Sequence, residues 1–282
     1  MSRRSPWGSV TLRDAGRGGV PVCAVSACPD IVKAVPETSS DATPIQFRSD
    51  MTVELVRASA HDSDVLFAAR VSTQGEKTLD AAASGAEATD RDRGLINYLM
   101  RDRHGSPFEH NSMTFYVQAP IFVFREFMRH RIASYNEESG RYRELRPVFY
   151  VPGPERRLVQ VGKPGAYEFV EGTAEQTELA VAESKAAATF AYEAYQRMLA
   201  AGIAREVARG VLPVSTYSSM YVTMNARSLM NFLSLRTKHP ESHFPSFPQR
   251  EIELVAEQME AFWAELMPLT HAAFQAGGRV AP

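Results

Sequence analysis

The chain of 282 residues contains only two cysteines, Cys23 and Cys28, and none from Pro29 to Pro282. Their C-x4-C spacing is not followed by a second pair, so four zinc ligands cannot be assembled from this pattern. Because the remainder of the chain holds no thiol, the chemistry that it performs does not use a cysteine nucleophile.

Long apolar runs, glycine-rich phosphate loops and an excess of positive charge are also missing. No run approaches the roughly 20 apolar residues of a membrane-spanning helix. Arg13, Asp14 and Arg17 interrupt the signal-peptide core that could follow Arg3 and Arg4. The formal net charge of −2 argues against a dedicated nucleic-acid surface. We therefore predict a cytoplasmic protein without membrane or nucleic-acid partners, whose cofactor is not held by a dinucleotide or triphosphate loop.

The character of the sequence changes at Met51. Residues 1–50 are rich in Ser, Pro, Gly and Ala and show no sustained hydrophobic period, which favours a poorly ordered N-terminal leader. Met51 is a candidate for the true start, in which case the leader is a misassigned N-terminus. Thr52–Arg57 then alternates as a strand does. We predict a single folded domain over residues 51–282.

Helical and strand patterns are mixed in this domain. The hydrophobic spacing predicts strands at Ser112–Gln118 and Ser215–Met224. It predicts helices at Ser63–Val71, Arg91–Arg103, Pro120–Arg129, Thr173–Ala201, Ala204–Val211, Ala226–Arg236 and Gln249–Met267. Since no regular strand–helix–strand rhythm is present, we predict an α+β fold, with a central, mainly antiparallel sheet flanked by helices that include one long helix.

One segment concentrates basic residues. Between Arg125 and Arg146 there are six arginines and one histidine against four glutamates. A predicted helix end is followed there by a polar turn region, whose backbone N–H groups and hydroxyls can point at a ligand. Guanidinium groups match phosphate oxygens bidentately, so the segment is a candidate anion site. The alternative is a solvated, salt-bridged surface in which Glu137 and Glu138 neutralise the arginines.

The segment fits the pattern R-H-R-x2-S-x4-S-x-R through Arg129, His130, Arg131, Ser134, Ser139 and Arg141. With residue frequencies of about 5% each, six fixed positions match by chance in on the order of one window in 10^8. The pattern is the signature of flavin-dependent thymidylate synthases, which this segment resembles. Three further blocks resemble that family in the same order, namely His104–His110, Arg205–Pro213 and Asn225–Arg236.

The resemblance implies reductive methylation of deoxyuridylate (dUMP) to thymidylate (dTMP). The methylene would come from 5,10-methylenetetrahydrofolate, and the reducing equivalents from NADPH through FAD. The absence of a thiol agrees, because without a cysteine to add to the uracil ring the protein must polarise the ring by other means. The resemblance also implies a homotetramer whose active sites are shared between subunits.

The resemblance further implies roles for individual residues. Arg236 is the predicted catalytic residue, whose guanidinium would meet the uracil edge and favour the ionised pyrimidine. The alternative is an ordinary arginine at a helix C-terminus. The predicted FAD-binding residues are Ser106, Arg129, His130, Arg131, Glu137, Asn225, Ala226, Arg227 and Asn231. The predicted dUMP-binding residues are Glu126, Phe127, Met128, Arg129, Glu137, Glu138, Ser139, Gly140, Arg141, Arg209 and Arg236.

Two of these assignments carry chemical detail. Arg141 and Arg209 are the expected partners of the nucleotide phosphate. Glu126 stands where some family members carry glutamine, and a carboxylate accepts hydrogen bonds but cannot donate them. Its substrate contact therefore remains open.

No metal site is predicted, because the histidines lack the i, i+4 spacing of ligands on one helical face. His104 is expected near flavin or folate, and His110 in the core or an interface. Three other functions compete with the synthase. They are a different flavoenzyme, a catalytically silent protein that senses dUMP, and a nucleic-acid binder, which the net charge disfavours.

Overall fold

The computed structural model describes residues 44–78, 89–163 and 166–282. The helices in these ranges are α1 (Asp62–Gln74), α2 (Asp90–Arg101), α3 (Ile121–Phe127), α4 (Ala174–Ala200), α5 (Arg205–Ala208), α6 (Ala226–Arg236), α7 (Arg250–Leu266) and α8 (Pro268–Ala276). The strands are β1 (Gln46–Arg48), β2 (Thr52–Ser59), β3 (Ser112–Pro120), β4 (Ser134–Glu137), β5 (Val148–Tyr150), β6 (Val159–Lys163), β7 (Ala166–Val170) and β8 (Tyr217–Met224). None of the described helices is long and apolar enough to cross a membrane, and the cytoplasmic location stays a prediction.

The central sheet has the strand order β2-β3-β8-β4, and each neighbouring pair is antiparallel. Side chains along β3 alternate, so that Phe115 and Val117 are fully buried whereas Tyr116 on the other face is not. The buried face shares one hydrophobic core with Phe232 of α6 and Trp263 of α7. The predicted α+β class with an antiparallel sheet and one long helix is confirmed.

Local signals explain why α4 begins and ends where it does. The Thr173 hydroxyl accepts from the backbone N–H of Gln176, whose side chain accepts from the N–H of Thr173, forming a capping box. The helix stops before Gly202, whose φ of 79° lies in the left-handed region that glycine adopts without a steric penalty. The predicted range of 173–201 therefore matches within one residue at each end.

Strand β1 lies within the stretch for which poor order is predicted. It pairs in parallel with β5, and Arg48 donates to Gln118 of β3 at 2.7 Å. For Gln46–Arg48 the prediction of poor order is wrong, because a partner strand about 100 positions later supplies the backbone hydrogen bonds. Residues 1–43 lie outside the described residues, so the leader and the start at Met51 stay predictions.

Strand β4 corrects the predicted turn region between Arg129 and Arg141. Its sequence, Ser-Tyr-Asn-Glu, lacks apolar alternation, but it pairs with Met220–Thr223 at the edge of the sheet. Strands β5, β6 and β7 and helix α8 were likewise not predicted, since the strands are short and α8 follows α7 after the single residue Met267.

The last residues of the chain contact both ends of α6. Arg279 is buried, forms an ion pair with Glu260 and donates to the Thr237 hydroxyl at 2.7 Å, just beyond the end of α6. Burial alone would raise the pKa of Glu260, but hydrogen bonds from Arg279 and His271 outweigh it and lower that pKa to about 2. At the other end, Arg227 Nε donates to the carbonyl oxygen of Pro282 at 2.8 Å.

Candidate active site

The predicted catalytic arginine lies in the last turn of α6, against the C-terminal end of α3. Arg236 Nη1 lies 2.7 Å from Glu126 Oε2, and Arg236 Nε donates to His130 Nε2 at 3.1 Å. The Arg236 side chain is only 18% exposed. Glu126 and His130 thus hold the guanidinium in one orientation from two sides. We call the three residues the Arg236 cluster.

His130 is a neutral acceptor in this cluster. Burial and the adjacent charge of Arg236 lower the pKa of His130 to about 4, so its ring is uncharged at pH 7. The ring stands edge-on to Phe232, and the Tyr135 hydroxyl donates to the His130 carbonyl oxygen at 2.7 Å. A protonated ring would offer Arg236 no lone pair, so the geometry requires the neutral form.

A second group forms where β4 ends. Ser219 Oγ donates to Glu138 Oε2 at 3.0 Å, and the Glu138 backbone N–H donates to the Ser219 carbonyl. A side chain at Gly140 would place its Cβ 3.0 Å from Leu145 and 3.3 Å from Cδ of Arg209. The last residue of β4 and the turn after it, Glu137–Arg141, are called the 137–141 loop. The structure brings Arg209 against this loop, although the long helix α4 separates the two in sequence.

The charges around this loop are partly exposed. Arg141 Nη2 lies 3.3 Å from Glu206, and their side chains are 49% and 58% exposed. Burial raises the pKa of Glu137, while a hydrogen bond from Ser218 and the charge of Arg209 oppose the rise. An exposed ion pair contributes about 0–1 kcal/mol, so Arg141 can exchange Glu206 for a ligand at little cost.

A third group surrounds Arg227 in the first turn of α6. Arg227 Nη1 pairs with Glu109 Oε1 at 2.6 Å, with side chains 40% and 44% exposed. A Cβ at Gly105 would lie 2.5 Å from Arg227 Nε, so a larger residue would displace the guanidinium. Asn225 caps the helix by accepting from the Ser228 N–H at 2.9 Å. We call Arg227, Glu109 and their neighbours Gly105, Ser106 and Asn225 the Arg227 cluster.

The predicted FAD-binding residues lie in separate parts of the fold. Ser106, Asn225, Ala226 and Arg227 lie at or near the N-terminal end of α6, and Asn231 lies midway along that helix. Arg129–Arg131 follow the C-terminal end of α3. Arg227 and Arg236 are separated by roughly 14 Å along the helix, at about 1.5 Å per residue. The remaining predicted member, Glu137, belongs to the 137–141 loop.

Two predicted site residues are fully buried in the core. Phe127 stacks on Phe232 with ring centroids 4.8 Å apart. Ala226 has no exposed surface, and its N–H donates to Asn111 at 2.7 Å. Any ligand contact of these two residues would have to use the remaining backbone atoms, whereas Met128, at 50% exposure, offers its side chain.

A cavity of about 570 Å³ opens beside α3, and most of its lining was not found from the sequence. One wall is formed by Phe122, Arg125 and Glu126, which share a face of α3, together with Arg129 just after its end. The facing wall comprises Tyr150, Pro152, Arg156, Arg157, Leu158, Phe169, Gln249 and Glu251. A sequence signal for this facing wall does exist: the adjacent residues Arg156 and Arg157 follow a Pro-Gly-Pro turn sequence.

The facing wall is held by a buried carboxylate. Glu251 Oε1 accepts from the Tyr150 hydroxyl at 2.5 Å and from Arg156 Nε at 2.7 Å. Burial and the contact with Glu251 raise the pKa of Tyr150, which keeps its hydroxyl protonated and donating. The pair is mostly shielded from solvent, with Arg156 20% and Glu251 3% exposed, so this wall is fixed in position.

Comparison with known proteins identifies the family. The model described as "Thymidylate synthase complementing protein" matches residues 54–269. A flavin-dependent thymidylate synthase of Streptomyces coelicolor is 68% identical over 244 residues, covering 86% of this chain and 98% of that protein. The chain belongs to the flavin-dependent thymidylate synthase family. A member from Tropheryma whipplei is 63% identical over 84% of this chain and 97% of its own length.

Solved structures agree with the membership. A UMP/dUMP methylase, PolB, from Streptomyces cacaoi bound with 5-Br dUMP has a TM-score of 0.79 and 59% identity, covering 84% of this chain and all of that one. The same protein bound with 5-Br UMP gives a TM-score of 0.77 and 57% identity, with coverages of 84% and 99%. The family predicted from Arg129–Arg141 is confirmed, and with it the classification of the chain as an enzyme.

Proposed function

We propose that the chain catalyses the reductive methylation of dUMP to dTMP, with FAD as cofactor and methylenetetrahydrofolate and NADPH as co-substrates. The observation that carries the proposal is the Arg236 cluster, in a chain whose relatives are flavin-dependent thymidylate synthases. The solved relative that binds 5-Br dUMP supports a uridine nucleotide as substrate.

Arg236 is suited to polarise a uracil ring. Negative charge develops on the pyrimidine as it ionises, and a guanidinium in a shielded site stabilises such charge more than it would in water. Two of its nitrogens are engaged at 2.7 and 3.1 Å, whereas Nη2 has only a 3.5 Å contact with the Glu126 carbonyl. Nη2 is therefore the atom that we assign to the uracil edge.

The 137–141 loop supplies the nucleotide phosphate site in this proposal. Arg209 forms no ion pair among the described residues, and the pair of Arg141 with Glu206 is exposed. Guanidinium groups match the oxygens of a phosphate, and Arg141 and Arg209 both belong to this group: the Arg141 backbone N–H donates to the Ser139 hydroxyl, and Arg209 packs beside the buried Gly140. Glu137 and Glu138 then line the adjoining part of the nucleotide.

The Arg227 cluster fits the diphosphate of FAD. The N-terminal end of an 11-residue helix favours negative charge, and the half-exposed guanidinium of Arg227 lies in its first turn. The close approach at Gly105 leaves the guanidinium in a narrow cradle beside Ser106. When bound, the flavin would supply the reducing equivalents; the chain's own residues bind and orient it.

The separation of these groups supports a homotetramer with shared sites. The FAD-binding residues at the two ends of α6 would be joined in one site if a second subunit supplied one of the sets. Large apolar side chains are exposed near them or on α4, namely Ile132 (76%), Tyr142 (79%), Leu179 (61%) and Phe190 (70%). Exposed apolar groups of this size are typical of contact surfaces between subunits.

The deciding experiment is tritium release from 5-tritiated dUMP, with each of FAD, NADPH and methylenetetrahydrofolate omitted in turn. We expect release and dTMP formation only in the complete mixture. A folded, flavin-loaded protein that gave neither would refute the synthase. A colourless protein that binds dUMP but no flavin would instead support the competing function, a catalytically silent dUMP sensor.

UMP is the second candidate substrate, because the solved relative is described as a methylase of both nucleotides. A parallel reaction with 5-tritiated UMP tests it. We expect a lower kcat/KM for UMP than for dUMP, since the 68% identical relative is named a thymidylate synthase.

A further inference from the structure

The cavity beside α3 carries more positive charge than its carboxylates neutralise. Four guanidinium groups line it, those of Arg125, Arg129, Arg156 and Arg157. Its two carboxylates are already paired, Glu251 with Arg156 and Glu126 with Arg236. Among the described residues, the other three lining arginines form no ion pair, so three positive charges remain available to a ligand.

The walls between these charges are aromatic. Phe122 and Tyr150 meet edge to face with centroids 5.3 Å apart, and Arg156 lies over the Phe169 ring at 5.2 Å. Apolar walls concentrate the field of nearby charges and so raise the local concentration of anions. A volume of about 570 Å³ falls within the range of roughly 300–1,000 Å³ that holds drug-sized molecules. The matching ligand is a flat aromatic molecule with an anionic end.

The phosphate of dUMP does not account for Arg125 and Arg157. In the proposed function it is bound by Arg141 and Arg209, and neither lines this cavity. A neighbouring cavity of about 400 Å³ shares Arg156, Arg157 and Phe169 with it, which gives room for an extended ligand. Arg129 is already a predicted FAD- and dUMP-binding residue, so Arg125 and Arg157 are the charges that point to a second anionic molecule.

We propose that the cavity binds the anionic end of a co-substrate, with Arg125 and Arg157 as its partners. This inference rests on the proposed function, which requires two such molecules. One is the folate, whose benzoyl-glutamate carries carboxylates, and the other is NADPH, which carries phosphates. Both place an anion next to an aromatic system, and the experiment separates them.

The test compares Arg125→Ala, Arg157→Ala and the double variant with Arg93→Ala, an exposed arginine of α2 that lines neither cavity. Each loss of a charged hydrogen bond should raise the KM of one co-substrate about tenfold or more, since such a bond contributes about 1.5–3 kcal/mol. The KM of dUMP should stay within about twofold, and the control should match the parent enzyme.

Analogues that lack the anionic group show which co-substrate the cavity binds. If folate is the ligand, the parent enzyme should favour methylenetetrahydrofolate over the tetrahydropteroate analogue without glutamate, and the double variant should lose that preference. If NADPH is the ligand, the parent enzyme should favour NADPH over NADH, and the double variant should lose that preference. Equal KM values in all variants, or a rise confined to dUMP, would overturn the proposal.

Calorimetric titration of the flavin-loaded protein with tetrahydrofolate or NADP⁺ gives a readout without turnover. Weaker binding of one ligand to the double variant, but not to Arg93→Ala, would support the cavity as a co-substrate site even if no dTMP formed. Unchanged binding of both would refute it, whereas absent turnover alone would count only against the proposed function.

Discussion

The two ends of helix α6 each present an arginine, but in different surroundings. Arg236 is 18% exposed and bonds to a carboxylate and a neutral imidazole. Arg227 is 40% exposed and bonds to an exposed carboxylate and a backbone carbonyl. A charge shielded from water acts more strongly on a bound molecule than an exposed one. We therefore expect the C-terminal end to act on the reaction and the N-terminal end to act on binding.

The C-terminal segment of the chain reinforces this difference. Arg279 donates a hydrogen bond to the hydroxyl of Thr237, the residue after Arg236, and its own side chain, 1% exposed, is held by an ion pair with Glu260. Pro282 contacts Arg227 through a single carbonyl oxygen. One end of α6 is thus fixed by a buried network, and the other by groups that a ligand can replace.

The largest effect should come from Arg236→Ala. Removing a group that stabilises developing charge lowers kcat by about 10²–10³-fold in comparable sites. We expect that loss in tritium release and dTMP formation, while the flavin absorbance of the purified protein is largely retained. Normal turnover would show that ring activation does not depend on this arginine.

Arg227→Ala should weaken FAD binding and leave most of the turnover at saturating FAD. Loss of one charged contact of about 1.5–3 kcal/mol should weaken FAD binding by roughly 10- to 100-fold. Turnover at saturating FAD should fall much less than in Arg236→Ala. The measurement is a titration of apoprotein with FAD, followed by flavin fluorescence. If both variants lost turnover equally at saturating FAD, the division between the two ends would fail.

The contrast also shows what a sequence can predict. Periodic and capped elements such as α4 were found because their signals are local, from Thr173 to Gly202. Strand β4 was missed because its only reason to be extended is a partner strand more than 80 positions later. Pairing of a polar segment at a sheet edge leaves no mark in its own composition.

The candidate site divides in the same way. The family was predicted from the dense motif at Arg129–Arg141, and the other site residues were named from three further blocks that resemble the family. The bond between Arg236 and His130 joins positions 106 apart. The second wall of the cavity comes from β5, the segment between β5 and β6, β7 and the start of α7. Such contacts depend on tertiary packing, which spacing along the chain does not encode.

A smaller effect concerns pH and His130. Its pKa of about 4 lies below the ordinary value of 6.5, so the neutral acceptor persists as pH falls from 6.5 and is lost only near 4. At pH 5 an ordinary imidazole would be about 3% neutral, against about 90% for this one. We expect a titration midpoint near 4 in histidine NMR spectra, with the resonance assigned by its absence from His130→Gln. A midpoint near 6.5 would contradict the neutral, shielded environment.

The smallest effect, and the finest test of the C-terminal end, is Glu126→Gln. The carboxylate holds Arg236 Nη1 at 2.7 Å but also offsets its positive charge. Glutamine can keep the hydrogen bond without that charge, so more of the field of Arg236 should reach the uracil edge. We expect kcat to rise by roughly two- to fivefold, since ion pairs that are partly exposed contribute about 1 kcal/mol or less. Glu126→Ala removes the hydrogen bond as well and should lower kcat instead. If glutamine and alanine lowered kcat equally, the negative charge itself, rather than the position that it gives Arg236, would be what the reaction requires.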